Sequence, residues 1–215
     1  MTAPFDTTAL ESRWKRWVIE PHRDWTWAML RTLYGDPRRH YHTLQHVSAC
    51  LDLLDEAWVR ERLRQNQVAT ESVELALFWH DAVYVPGSPH NERMSADLLV
   101  ALKPVLVVEN PDAITSSVWV AIKETQTHAT PTNVAAAVVE IDLSILGTPE
   151  ATYDAYVRDV RAEYAHVSDA QWRQGRTAFL KGMLERKHIF RWVLERFEEP
   201  ARANMKRELL AMEGA

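Results

Sequence analysis

At 215 residues, 47% hydrophobic and 26% charged, the chain has the composition of a folded domain with a well-filled core, which excludes a disordered or low-complexity protein. Its net charge of −5 argues against a protein that coats nucleic acid, and no apolar run is long enough to span a bilayer. The single cysteine, Cys50, excludes an internal disulfide and a cysteine-rich zinc site.

The opening stretch MTAPFDTTALESRW lacks a basic region followed by an apolar one, so it does not read as a secretory signal, and a cytoplasmic protein is expected. Thr8 and Glu11 have capping-box spacing and predict a helix carrying Trp14, Trp17 and Val18. Asp24 is placed to cap DWTWAMLRTLYG, which stops at Gly35. GDPRRHY reads as a loop, because Pro37 disfavours helix at Asp36. The next helix starts near His42 or Thr43 and runs through VSACLDLLDEAWV, with Leu44, Val47, Leu51 and Leu54 on one stripe. Thr70 opens ESVELALFWHD, apolar nearly all round and therefore central.

AVYVPGSP is a loop, followed by helices over roughly 91–102 and 112–123. Asn133 is placed to cap VAAAVVEIDLSIL, which ends at Gly147. Thr148 and Pro149 begin a long helix through Tyr164, and Ser168 with Gln171 forms a second capping box. One or two further helices close the chain. No repeat or linker interrupts it, so the expectation is one all-α domain over residues 1–215. Its nine tryptophans are dispersed, which suits core packing or a homodimer face more than a single stacking platform.

His40, His42 and His46 crowd into HYHTLQHV, a third of the nine histidines in the chain. Histidine is the commonest metal ligand and titrates near neutral pH. If helical, His42 and His46 share a face one turn apart. His80 and Asp81 close a second, apolar helix, and Asp142 sits in VVEIDLSILG, a third. An ionisable group on an apolar helix is costly without compensation. Each has an ordinary explanation taken singly, a cap or an ion pair. A divalent cation would account for His46, His80, Asp81 and Asp142 together.

The segments RHYHTLQHV, ALFWHDAVY, HNERMSA and DLSILG, in that order in a helical chain, resemble the HD superfamily of metal-dependent phosphohydrolases, and in particular its small stand-alone bacterial members. VRAEY and QGRTAFL extend the likeness towards the C-terminus. The resemblance implies an HD-type helical bundle with its metal-site core at about 39–147 and residues 148–215 completing it. It also implies metal ligands at His46, His80, Asp81 and Asp142, one or two ions in all. YHTLQHV is similar to the YHNxxHA segment of cyclic-nucleotide phosphodiesterases, which implies His42 as general acid beside Asp81 in the catalytic set. Asp81, with two oxygens, is the natural bridge between two ions.

The chain departs from its better-known relatives in two places. Tyr84 stands where phosphodiesterases carry the last histidine of HDxxH, and AVYVPGS replaces the Glu-Asp pair of the stringent-response hydrolases. Neither activity therefore transfers. The mixed ligand set suits Zn, Mn, Fe, Ni or Mg. The expected substrate is a small phosphoester, nucleotide-like, with no nucleic acid or membrane partner. Its charge calls for cations, and arginine's fork suits phosphate. Arg39 and Arg161 lead the nominees, with Arg38, Lys123, Arg158 and Arg176 behind them; Glu92 and His128 are further candidates for the substrate, metal or water shell, as are His90 and Asn91. Two rivals stand beside the hydrolase: an HD-fold di-iron oxygenase and a non-catalytic helical protein with a structural metal.

Overall fold

Helical periodicity along the chain becomes eleven α-helices in the computed structural model, which describes residues 5–128 and 132–213. No strand or sheet forms among them. One antiparallel bridge, Val18 to Leu106, is the nearest approach to one. The fold is all-α, and one contiguous apolar core runs from Leu10 to Met205. No described helix is long and apolar enough to cross a membrane.

The first helix, α1 (Thr8–Lys15), is shorter than its sequence predicts. Trp17 lies beyond its end, because the chain turns there to exchange backbone hydrogen bonds with Val105 and Val107. The predicted Thr8–Glu11 capping box does not form; the Asp6 carboxylate instead accepts from the N–H and hydroxyl of Thr8. Trp14 is fully buried and donates to the Thr26 hydroxyl at 3.0 Å. In α2 (Arg23–Tyr34), Asp24 lies in the first turn rather than at the cap and pairs with Lys15 at 2.7 Å.

Thr43 caps α3 (Leu44–Asp55), its hydroxyl accepting from the Gln45 N–H. The helix does not continue through Ala57 as its stripe predicts. Glu56 turns extended, at ψ 128°, and α4 (Ala57–Gln65) restarts in a new direction that buries Val59 and Leu63. α5 (Thr70–Trp79) is buried from Ser72 to Trp79, as an all-round apolar helix demands, and packs against α3, α7 and α8. Its buried acid, Glu74, is neutralised by Arg13 at 2.8 Å.

α6 (Asn91–Ala101) and α7 (Pro111–Glu124) follow as expected, the latter capped by Asn110. α8 (Asn133–Asp142) is capped by Thr132, not Asn133, whose amide reaches the Asn66 carbonyl. A short 3-10 turn over Leu143–Gly147 brings the chain against Phe197. A Cβ on Gly147 would stand 2.6 Å from that ring, so the approach requires glycine. α9 (Glu150–Glu163) leads to α10 (Asp169–Glu185), where the Ser168–Gln171 capping box forms in full. α11 (Glu198–Glu213) closes the structure against the 3-10 turn and α10.

Two buried carboxylates hold the C-terminal half in place. Glu140 on α8 accepts the N–H groups of Arg191, Trp192, Val193 and Leu194 at 2.6–2.8 Å. Glu208 on α11 takes both ends of the Arg176 fork at 2.8 and 3.0 Å, and Tyr153 donates to it as well. Charges this deep persist only because each is fully hydrogen-bonded.

Candidate metal centre

Four side chains meet at one point: His46 on α3, Asp142 at the end of α8, and His80 and Asp81 in the turn that follows α5. The helical turn predicted to carry His80 and Asp81 thus stops just short of the pair. His46, in the first turn of α3, places Nε2 3.1 Å from Asp142 Oδ1 and 3.1 Å from His80 Nε2. His80 Nε2 lies 3.0 Å from Asp81 Oδ2 and 3.4 Å from Asp142 Oδ1. The ligand atoms of all four residues fall within 4.8 Å of one another. His80 Nδ1 is 3.0 Å from the Leu77 carbonyl, an acceptor only, so Nδ1 carries the proton and Nε2 presents its lone pair to the cluster. Two imidazole nitrogens and two carboxylates converging in this way are a donor set for a divalent cation, and the residues fit that role.

Electrostatics agree with the geometry. Burial opposes ionisation of Asp81 and Asp142, yet the facing imidazoles outweigh it and hold both carboxyls below the usual range. His80 is pushed well above an ordinary histidine by the two aspartates, against its own burial. The two carboxylates therefore call for positive charge beside them, carried by a proton on His80 when no cation is bound. Cys50 lies 3.8 Å from His46 but is not among the converging ligands, and burial raises its thiol.

His42 lies outside α3, in the loop before the Thr43 cap, so the shared helix face predicted for His42 and His46 does not exist. Tertiary packing brings the rings together all the same, 6.1 Å apart. The side chain that achieves this is Glu163, the last residue of α9, whose carboxylate has no exposure to solvent. It accepts the N–H groups of His40, Tyr41 and His42 at 2.8, 2.8 and 2.9 Å, and meets His42 Nδ1 at 2.6 Å. Burial pushes the Glu163 carboxyl up, but His42 and these N–H groups prevail and hold it at about 2. Burial likewise disfavours charge on His42, and Asp81, Glu163 and Asp142 together raise it. Tyr84 stacks on the His42 ring at 4.1 Å. Nδ1 is engaged, so Nε2 is the nitrogen left for proton exchange.

The cluster opens, through Asp81 and Asp142, on a cavity of about 450 Å³ that His42, Glu92 and His128 also line. Tyr84, Tyr156, Tyr164, Trp172 and Phe179 form its walls. His40, by contrast, is exposed and lines a second cavity behind Tyr41 and Tyr156.

The nominated arginines have other duties. Arg39 is buried and donates to the carbonyls of His42, Asp81 and Ala82 at 2.9, 2.7 and 2.9 Å, clamping the two site loops together. Arg161 holds Asp169 and the Tyr164 carbonyl. Arg38 pairs with Asp36 in solvent, and Arg176 is spent on Glu208 and the Tyr156 hydroxyl. Glu92 does reach the cavity; its Oε2 is buried without a partner, and burial raises its carboxyl. His128, at φ 52°, also lines it, and burial holds its ring towards the neutral form. Asn91 bonds both backbone groups of Val85, anchoring the loop after Asp81.

Read from the sequence, VRAEY offers its arginine, Arg161, as a phosphate ligand, whereas its glutamate is the residue that reaches His42. The signal was present: Glu163 lies at the end of a helix, where a carboxylate is unfavourable without donors. Comparison with family models, with characterised proteins and with solved structures returns no match, so the site stands on its geometry alone.

Proposed function

We propose that this protein is a metal-dependent phosphohydrolase of the HD type, acting on a phosphoester of a nucleotide or related small molecule. The observation that carries the reading is the convergence of four ligand atoms beside a cavity that Asp81, Asp142 and the Glu163-paired His42 all line. A structural metal site is closed by its ligands. Here Asp81 and Asp142 both line the cavity, which favours catalysis over a structural role.

His46, His80, Asp81 and Asp142 would hold the ion, which supplies an acidified water and polarises a phosphoryl oxygen. The rest falls to the protein. His42 donates its Nε2 proton to the ester oxygen as the P–O bond breaks and the water oxygen bonds to phosphorus. Glu163 keeps the ring oriented and favours its protonated form before that transfer. Arg39 fixes the backbones of His42 and Asp81 relative to each other.

The test is elemental analysis of wild type and Asp81→Ala, followed by a phosphoester panel. Wild type should hold one or two ions per chain and cleave phosphoesters, and the folded variant should do neither. Chelation should lower the melting temperature of wild type alone, since an ion at about 100 times its Kd contributes roughly 2.7 kcal/mol. A folded wild type that takes up no Zn, Mn, Fe, Ni or Mg refutes the reading. Paired iron with oxygen consumption would replace it.

A further inference from the structure

Resting on the hydrolase reading, we propose that the cavity takes a monophosphate ester that carries a flat ring such as a nucleobase, with the ring against the bare backbone at Gly175, and that it rejects di- and triphosphates. Trp172, Gly175, Arg176 and Phe179 recur at helical spacing on α10, and all four line the cavity. Glycine inside a helix costs stability relative to alanine. Nothing in the folded chain requires it at 175, since a Cβ there would meet no atom within 4 Å. What the missing Cβ provides is room. A methyl group at 175 would stand in the cavity between Trp172 and Phe179, where a planar ring can lie on the helix backbone with aromatic side chains on either side.

Charge sets the second half of the proposal. Of the cationic groups that line the cavity, Arg176 is taken by Glu208, and His128 is held towards its neutral form. Only His42 remains, beside whatever cation the ligand cluster binds. Against them stand Asp81, Asp142 and Glu92, whose Oε2 has no hydrogen-bond partner. One phosphate at the cluster is matched by the ion and His42. Lys123 does not line the cavity and is bonded to Gln126; further phosphates would be desolvated among aromatic rings with no free lining cation to receive them, which discriminates against polyphosphates.

Gly182 provides the control. It lies on the same helix, its Cβ would also meet nothing within 4 Å, and it does not line the cavity. Wild type, Gly175→Ala and Gly182→Ala, each supplied with manganese, are titrated calorimetrically. The probes are adenosine and thymidine, their hydrolysis-resistant mono- and triphosphate analogues carrying an α-phosphonate, and methylphosphonate. Both variants should melt at a higher temperature than wild type. Wild type should bind a nucleoside monophosphonate at least tenfold more tightly than the triphosphate analogue or methylphosphonate. Gly175→Ala should weaken nucleoside and monophosphonate binding at least tenfold, and Gly182→Ala should leave both unchanged.

Equal binding by Gly175→Ala and wild type overturns the proposal, as does a triphosphate analogue that binds as tightly as the monophosphonate. The nucleosides need no metal, which separates the two readings. Metal uptake and phosphoester cleavage without any dependence on Gly175 sink the ring slot and leave the hydrolase standing. Gly175-dependent nucleoside binding by a protein that takes no metal overturns the phosphate half and the hydrolase reading together.

Discussion

Replacing Glu163 by glutamine keeps the size of the side chain and removes its charge, which separates its two tasks. The carboxylate organises three backbone N–H groups and the His42 imidazole. Its carboxyl drops from an ordinary 4.5 to about 2 in the folded protein. At 1.36 kcal/mol per pH unit, that difference is worth roughly 3 kcal/mol at neutral pH. Glutamine retains an acceptor for the N–H groups, so the expected loss is smaller, about 2 kcal/mol, or roughly 4–8 °C in melting temperature for a chain of this size. The sign of the pH dependence follows from the depressed value. The contribution is complete above 4.5 and disappears as pH falls towards 2, so the gap between wild type and variant should close over that window.

Activity should respond differently. Without the carboxylate, the protonated form of His42 loses a partner that raised its affinity for the proton. The alkaline limb of the rate profile should move to lower pH, and kcat should fall roughly 10²-fold with little change in KM. Thermal melts across pH and a pH–rate profile on the best substrate measure both effects. A stability gap that does not depend on pH, together with an unchanged rate profile, would refute the assignment of Glu163 as the residue that positions His42.

Arg39→Lys should act through the metal rather than through substrate. A lysine cannot reproduce a fork that serves three carbonyls. Metal affinity should fall about 10-fold or more, as for other groups that orient ligands, and calorimetric titration with manganese checks this; an unchanged affinity with a raised KM would return Arg39 to substrate binding. Glu140→Gln should cost about 3 kcal/mol or more, because one amide group cannot accept four N–H donors and its own N–H₂ then faces two of them. Denaturant melts measure that loss, and metal affinity should fall with it, since Asp142 lies two residues further along α8.

Local chemistry made much of this protein legible in its sequence. The apolar run of α5, the stripe of α3, the full Ser168–Gln171 box and the glycine stops describe interactions within one or two turns, and those appear as read. So does the grouping of His46, His80, Asp81 and Asp142, which could hold a metal ion, because each is an ionisable residue in or next to an apolar helix and so stands out locally. The errors differ in cause. Thr8 lost its cap to Asp6, a competing acceptor two residues away. The predicted helix through Ala57 broke at Glu56, beyond which Val59 and Leu63 are buried, and His42 fell outside α3, where the distant Glu163 holds its backbone.

The role of an arginine is beyond local reading altogether. Arg39, Arg161 and Arg176 have the charge that a phosphate needs, but a charge shows nothing about its partner, and only the folded chain brings Asp81, Asp169 and Glu208 to them. The same holds for Glu163. Its sequence distance from His42 is 121 residues, and no periodicity spans that interval. Which residues are costly to bury was determined by their own chemistry, and is written in the sequence. Which groups repay that cost was decided by tertiary structure, because hydrogen bonds and ion pairs act over a few ångströms of space whatever their separation along the chain.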